Sequence, residues 1–540
     1  MSVTNAIKKA SPPPSRQSQW ALVAREFRKR RLAVAAAVVV MGLVTISVFA
    51  PLLANDRPIY FTGINRFEFR EAARTLRGII GQISISSELP SDAGKEAKAA
   101  HSKKFDDQIR SVRLQFELMS EQLPADASAG LHAFQERIVT AAAGTNRTKA
   151  ADELRTVQRE LRPLLESMET KLIVRSHWPV FKSLSWSDLG FMSATLLLLA
   201  FPLWGRWATS RQALIAFCLV PAVSAVVWWW LVPPRVDRTD YKSGLLAADD
   251  AAQKAAVSYR SVMWPPIAYA LDENDLVGRS IAPAWYPEAW RPQPIERPNS
   301  PEGESSKKPP SRWNTPHWMG TDGLGRDVLC RMIWGGRVSL SVGIVAVAIY
   351  VVIGIVIGSV AGYFRGVCDL VLSRIIEVVI CFPSFFLILT IVAMRGPGLI
   401  NIMVVIGLTS WTGIARLVRG EFLRLVDQEF VMAGKALGYS PLRLIFRHVL
   451  PNAMAPVLVS ATFGIAGAIL TESALSFLGV GIQKPTTSWG SLLAEGRSDM
   501  EHAPWLIHFP GLAIFITITA YNLIGEALRD AADPRLRGSR

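Results

Sequence analysis

The chain is built from long apolar runs separated by polar stretches, and the length and period of those runs carry the first inference. Apolar runs stand at 32 to 54, 189 to 204, 212 to 232, 338 to 362, 372 to 394, 399 to 416, 454 to 478 and 508 to 527. Most reach the ~20 residues that a helix needs to cross a hydrocarbon layer of ~30 Å. The run at 189 to 204 is short and interrupted by Pro202. Backbone groups in hydrocarbon must pair internally, and none of these runs alternates as a barrel strand does. The predicted fold class is therefore an all-α integral membrane protein, a polytopic bundle of about eight transmembrane helices with an extracytoplasmic helical insertion.

The polar stretches divide the chain. A tail, 1 to 31, precedes the first span at 32 to 54, which is too long for the apolar part of a cleavable signal and is read as a retained anchor. The insertion is placed at 55 to 188. Within it, Leu154, Val157, Leu161, Leu164, Leu165 and Met168 recur at helical spacing, which predicts a packed stripe in a small bundle or a docking face. A helix pair at 189 to 232 follows, flanked by Arg206 and Arg211 at its turn and by Trp228, Trp229 and Trp230 at one end. From 233 to 337 the chain is expected to be an extended linker, because Pro283, Pro287, Pro292, Pro294, Pro298, Pro301, Pro309 and Pro310 forbid regular structure. Residues 338 to 528 are the core, and 529 to 540 a second tail.

Composition sharpens this picture. Half the residues are apolar and only 19% charged, while Lys and Arg exceed Asp and Glu by 15. In a soluble protein that excess would point to nucleic acid. Here the basic residues flank apolar runs, the positive-inside pattern, so nucleic acid is not expected and both tails are placed in the cytoplasm. Cys218, Cys330, Cys368 and Cys381 show no metal or redox spacing, and no histidine pair suits a metal. No phosphate-binding loop occurs, since Gly434-Lys435 is followed by Ala and Gly94-Lys95 by Glu. The chain is not expected to be an enzyme or to bind a cofactor of its own.

The stretch 430 to 452, Phe430-Val-Met-Ala-Gly-Lys-Ala-Leu-Gly-Tyr-Ser-Pro-Leu-Arg-Leu-Ile-Phe-Arg-His-Val-Leu-Pro-Asn452, reads as a short helix ending at Leu437, a C-capping Gly438, and a second short helix started by Ser440-Pro441 and ending before Pro451. This pattern resembles the EAA loop of ATP-binding-cassette importer permeases, with Ala433 and Gly434 at the two alanines, Gly438 at the glycine, and Leu450 and Pro451 at the end. Met432 stands where that family has Glu, and His448 where it has Ile. Further motifs resemble the C-type subunit of the dipeptide, oligopeptide and nickel permease family. These are Met319-Gly-Thr-Asp-Gly-Leu-Gly-Arg-Asp327, Trp411-Thr-Gly-Ile-Ala-Arg-Leu-Val-Arg-Gly420, Ser473-Ala-Leu-Ser-Phe-Leu-Gly-Val-Gly481 and Asp533-Pro-Arg-Leu-Arg537. Leu53-Ala-Asn-Asp-Arg-Pro58 and Pro309-Pro-Ser-Arg312 resemble its YejE-like branch. The glycines of the first motif, Gly320 and Gly325, are read as turn residues rather than a nucleotide cradle.

The resemblance implies a transport subunit of the bacterial inner membrane. Its expected partners are two ATPase subunits or domains that carry ATP and Mg, a second, B-type permease, a periplasmic solute-binding protein and membrane lipid. The loop would couple it to ATP hydrolysis. Glu377 and Glu472 stand inside apolar runs, where a carboxylate is costly, and are read as clamps between helices or as lining of the peptide path. A secondary transporter or channel, and a receptor with an external helical sensor, are the alternative classes.

Overall fold

In the computed structural model, the described residues are 19–86, 95–143, 147–204, 210–231, 239–242, 257–274, 279–283, 285 and 316–532. The prolines from Pro287 to Pro310, Arg206, Pro309-Pro-Ser-Arg312 and the motif from Asp533 to Arg537 lie outside them. The described residues form two compact units, one made of those up to Ala54 and from Tyr269 onward, the other of those from Asn55 to Ala268.

In the first unit, apolar helices gather around one long member. Among the described residues six helices of the chain are long and apolar enough to cross a membrane, or seven if one bent pair counts as a single span. The predicted span 338 to 362 is the middle of a 37-residue helix, Val328–Phe364. Its first ten residues fall in what the sequence predicts as linker, because Arg331 and Arg337 interrupt the apolar run there. The start is fixed by Asp327, whose carboxylate accepts from the Cys330 N–H at 2.7 Å as an N-cap. At ~1.5 Å per residue this helix is about 55 Å long, well beyond the hydrocarbon layer.

The partner that packs most closely on it is Leu399–Leu425, the predicted span 399 to 416 extended by two turns. The reason lies in three glycines four residues apart. A Cβ on Gly354 would sit 2.6 Å from Ile414, one on Gly358 2.5 Å from the Ala415 carbonyl, and one on Gly362 2.5 Å from Phe422. Small residues at this spacing let two helix backbones approach, which is how helices associate where lipid removes the hydrophobic drive. Asp369 then ties Gly366–Cys381 to the same partner through Arg419, whose second nitrogen donates at 2.8 Å.

The predicted span 372 to 394 is two helices, Gly366–Cys381 and Ser384–Arg395, meeting at 79°. The break falls at Phe382 and Pro383, since proline removes a donor and crowds the preceding turn. Arg31–Val48, Leu450–Phe477 and Trp505–Ala532 complete the bundle. Arg30, just before the first, pairs with Asp530 near the end of the last at 2.6 Å, so the two helices meet at one end of the unit.

The second unit holds helices Arg66–Ser86, Lys95–Ser120, Ala125–Ala143 and Arg147–Glu169. Their apolar stripes close on one core that contains Leu76, Phe116, Leu131, Leu154, Val157 and Leu161. The stripe read from sequence is thus packing within the unit. A three-stranded antiparallel sheet, ordered β2-β1-β3, adds Tyr60–Asn65 as β1, Arg175–His177 as β2 and Val257–Met263 as β3. Two expectations change here. The insertion is not purely helical, and the supposed linker contributes a strand, which the alternation of Val257, Tyr259 and Ser261 with Ser258 and Arg260 could have signalled. Phe61 is buried where the strands meet, edge-on to Tyr241 and Tyr259. Helices Trp186–Trp204 and Ser210–Leu231 belong to this unit too and bond to each other through the Ser193 and Ser224 hydroxyls at 2.9 Å. The apolar stretch of the first, Trp186–Pro202, is shorter than the other candidate spans, while the second passes as a span on its own.

Candidate coupling surface and intramembrane carboxylates

The loop after Leu425 follows the predicted local chemistry for its first half. Helix Glu429–Ala436 ends at Leu437, and Gly438 takes φ of +74°, a conformation that costs glycine nothing. Its N–H donates to the Lys435 carbonyl at 2.9 Å, and the Tyr439 N–H to Gly434 at 3.1 Å. Ser440 accepts from the Arg443 N–H at 3.4 Å, and Pro441 opens the next helix, Pro441–Leu444. Gly434 is where the two short helices cross, since a Cβ there would meet Leu444 at 2.7 Å.

The second half departs from expectation. The helix does not end before Pro451 but continues through a π-turn, Ile445–Val449, into Leu450–Phe477. The Leu450 N–H bonds Ile445, five residues back, and this wider turn lets Pro451 enter the first turn of the span, where its missing donor is no loss. The second half of the loop, from Pro441, is therefore continuous with a span, and Gly434 packs the first half against it. The inner side of the loop, Val431, Ile445 and Val449, is part of the core. Its outer side is apolar and open: Leu437 is 70% exposed, Leu442 66% and Phe446 62%, with Met432 and Ala433 beside them. Lys435, Arg443 and Arg447 stand among these residues. His448, in place of the Ile of the family pattern, stacks on Tyr439 with ring centres 5.7 Å apart, and Arg443 lies over the same ring. At the root of the loop, Arg365 donates to Asp427 at 2.7 Å and to the Leu423 carbonyl at 2.9 Å. That pairing, first among several influences, holds the Asp427 carboxyl below its ordinary value.

Glu472 is fully buried. Ser339 of the long helix donates to it at 3.2 Å and Ser476 at 2.8 Å, while Ser339 also accepts from the Trp489 N–H at 3.1 Å. The Glu472 carboxylate thus joins Leu450–Phe477 to Val328–Phe364, and Ser339 carries the link on to the start of the short helix Trp489–Ser498. Glu377 behaves differently. It is exposed, and its ion pair, at 2.6 Å, is with Arg374 one turn earlier on the same helix, so it clamps no two helices of this chain through that bond.

Comparison with known proteins places these features. Residues 354–538 match the family described as binding-protein-dependent transport system inner membrane component, and 18–65 match the N-terminal transmembrane domain of oligopeptide transport permease C. The dipeptide transport permease DppC of Alkalihalophilus pseudofirmus is 42% identical over 41% of this chain and 73% of its own length. The glutathione transport permease GsiD of Pectobacterium atrosepticum is 41% identical over 41% of this chain and 73% of its own. The chain belongs to the binding-protein-dependent transport permeases. Among solved structures, the inward-facing methionine ABC transporter MetNI has 18% identity and a TM-score of 0.32, covering 38% of this chain and 95% of its own.

As a permease subunit of this ATP-binding-cassette importer family, the chain is a multi-pass inner-membrane protein, and the receptor and stand-alone transporter readings fall away. The match at 18–65 extends the likeness to the first span, where sequence motifs offered only Leu53 to Pro58. Among the described residues, no group of three or more His, Cys, Asp and Glu could hold a metal.

One constellation escaped sequence reasoning. In the motif from Met319 to Asp327, Gly320 and Gly325 have φ of +76° and +77°, as turn residues do. Asp322, between them, anchors a largely buried ion network with Arg326, Arg331 and Glu495. Arg331 donates to Asp322 at 2.6 Å and to both oxygens of Glu495 at 2.7 and 2.9 Å, and Arg326 joins the same two acids at 2.7 and 2.8 Å. Burial by itself raises the Glu495 carboxyl, but Arg331, Arg326 and Lys484 outweigh it and hold it below the ordinary 4.5. The signal in the sequence was an arginine pair five residues apart beside a glycine turn. Glu495, 164 residues beyond Arg331, could not have been paired with it by inspection.

Proposed function

We propose that this chain imports peptides, as one of two permeases of an ATP-driven transporter whose cargo arrives on a periplasmic binding protein. The observation that carries the coupling half of this reading is the open apolar face of the 430–452 loop, continuous with a span through an unbroken helix. A partner ATPase would cover Met432, Ala433, Leu437, Leu442 and Phe446, with Lys435, Arg443 and Arg447 at its rim meeting acidic groups. Gly434 and Gly438 keep the knob compact, and Leu450 and Pro451 carry its displacement into Leu450–Phe477, so that nucleotide-driven closure of two ATPase domains would tilt a helix. The peptide class rests on the relatives, whose names state dipeptide, oligopeptide and glutathione transport.

Orientation follows from charge. The loop and both tails belong in the cytoplasm by the positive-inside rule, which supports an extracytoplasmic place for the bundle and sheet of the second unit and two crossings by its helix pair. Glu472 is proposed as the clamp that keeps three helices moving together, and Glu377 as half of an ion pair at the cytoplasmic edge of the broken span.

The test is purification of the tagged chain from its native membrane with whatever accompanies it, repeated with Gly438→Pro. Proline fixes φ near −65° and removes the N–H that Gly438 uses, so the knob must distort. The expected result is an ATPase and a second permease with the native chain, and the permease alone with the variant. An ATPase retained in full by the variant would remove the loop from the coupling path.

A further inference from the structure

The second unit contains a cavity that the transport reading does not use. It has a volume of about 360 Å³ and lies between the start of helix Arg66–Ser86, the turn after Ser120 and strand β2. Leu172 and Ile173 give it an apolar wall, and Glu68, Gln122, Arg175 and Lys182 bring polar groups to it. That volume lies within the ~300–1,000 Å³ range of small-molecule sites, and a few convergent polar groups on an apolar wall are their usual lining.

Gln122 makes the cavity more than a surface dent. The side chain is only 8% exposed, and its amide NH₂ donates to the Glu68 carboxylate at 3.3 Å. A carboxylate accepts and cannot donate, so this bond fixes which way the amide points and turns Oε1 away from Glu68. Oε1 is buried and has no hydrogen-bond partner. Buried acceptors are rarely left in that condition, and since Gln122 itself lines the cavity, a small rotation of its amide would present this acceptor to a donor bound there. Around it stand two positive side chains. Lys182 is exposed, and Arg175 holds Glu121 only at 3.7 Å in an exposed pair of the kind that contributes little. A carboxylate-bearing guest could take both at small cost.

We propose that this cavity binds a small zwitterion of amino-acid or dipeptide size, its ammonium donating to Gln122 Oε1 beside Glu68 and its carboxylate meeting Arg175 and Lys182. The site belongs to the second unit and does not depend on what the spans carry. It would let the insertion sense or hold a peptide-like solute separately from the path through the bundle.

Calorimetric titration of the purified full chain in lipid nanodiscs tests this, with L-alanyl-L-alanine, its C-terminal amide and its N-acetyl form as probes. Saturable binding of the free dipeptide is expected, weaker by about 10-fold or more for each blocked form, because a site built around polar partners rejects guests that lack them. Gln122→Leu and Lys182→Ala should each weaken the free dipeptide by about 10-fold, the first losing discrimination against the N-acetyl form while keeping it against the amide, the second the reverse. Lys182 is on the surface, so its variant reports on the site even if the Gln122 variant folds poorly. No saturable binding to the native chain, or binding that Lys182→Ala and a folded Gln122→Leu leave unchanged, overturns the proposal. In the latter case the dipeptide sits elsewhere, and the importer reading is untouched.

Discussion

Single side chains decide where the helices of this permease start, stop and touch. Asp327 starts the 37-residue helix Val328–Phe364, Pro383 breaks another span, and Gly438 ends the first half of the 430–452 loop, each for a reason of backbone chemistry; the sequence displays the last two directly, whereas Arg331 and Arg337 hid the helix that Asp327 starts. Glu495 was not legible, because its meaning depends on Arg326 and Arg331 far away in the chain. It also makes a pH prediction. Its carboxyl is held below 4.5 when folded, so its contribution is present above that value and lost as pH falls through the lower folded value. Thermal unfolding in detergent should show Glu495→Gln destabilised at pH 7, by up to ~3 kcal/mol since the variant breaks a buried ion network. The gap between variant and native chain should shrink as pH is lowered past 4.5. A gap that stays constant with pH would mean that Glu495 stabilises the unit by packing rather than by charge.

The elements pair as their small residues allow. An apolar run announces a span, but it does not announce its neighbours, and the run at 338 to 362 gave no hint that Gly354, Gly358 and Gly362 select Leu399–Leu425. The spacing was on view in the sequence; what it packs against was not. Gly358→Leu would press a side chain into the Ala415 carbonyl, 2.5 Å from where its Cβ must lie. Overpacking of this kind costs roughly 1–3 kcal/mol or more, and because no side-chain rotation relieves a Cβ clash with backbone, the upper end is expected. Gly413→Leu, on the partner helix where nothing lies within 4 Å of the added Cβ, should leave the melting temperature near that of the native chain. Equal losses in the two variants would show that the glycine spacing has no packing role. Two of the helix boundaries missed by sequence reasoning share one cause. Helices run past the apolar layer into polar residues, as at Val328 and Leu425, and hydropathy marks only the part in hydrocarbon.

At the scale of the whole molecule, a transport bundle and a separate helical unit with a small sheet share one chain. Family motifs made the bundle legible, whereas the second unit offered only periodicity, enough to foresee its helices but not the strand that Val257–Met263 adds from a distant segment. The orientation proposed from the charge pattern would put this second unit outside the cytoplasm. Ala129→Cys, on its exposed surface in a chain whose four native cysteines are replaced by alanine, should react with a membrane-impermeant maleimide added to intact spheroplasts. Labelling only after the cells are lysed would reverse the orientation.

Peptide movement by this permease is proposed to depend on ATP hydrolysis by a partner docked on the 430–452 loop. The most direct measurement is uptake of a labelled dipeptide by proteoliposomes that contain the purified complex and its binding protein, with ATP supplied on the side of the loop. Uptake should require ATP and the binding protein and should fall to background with Gly438→Pro, while the variant chain remains folded. Uptake that proceeds without ATP, or that survives Gly438→Pro at the native rate, would contradict it.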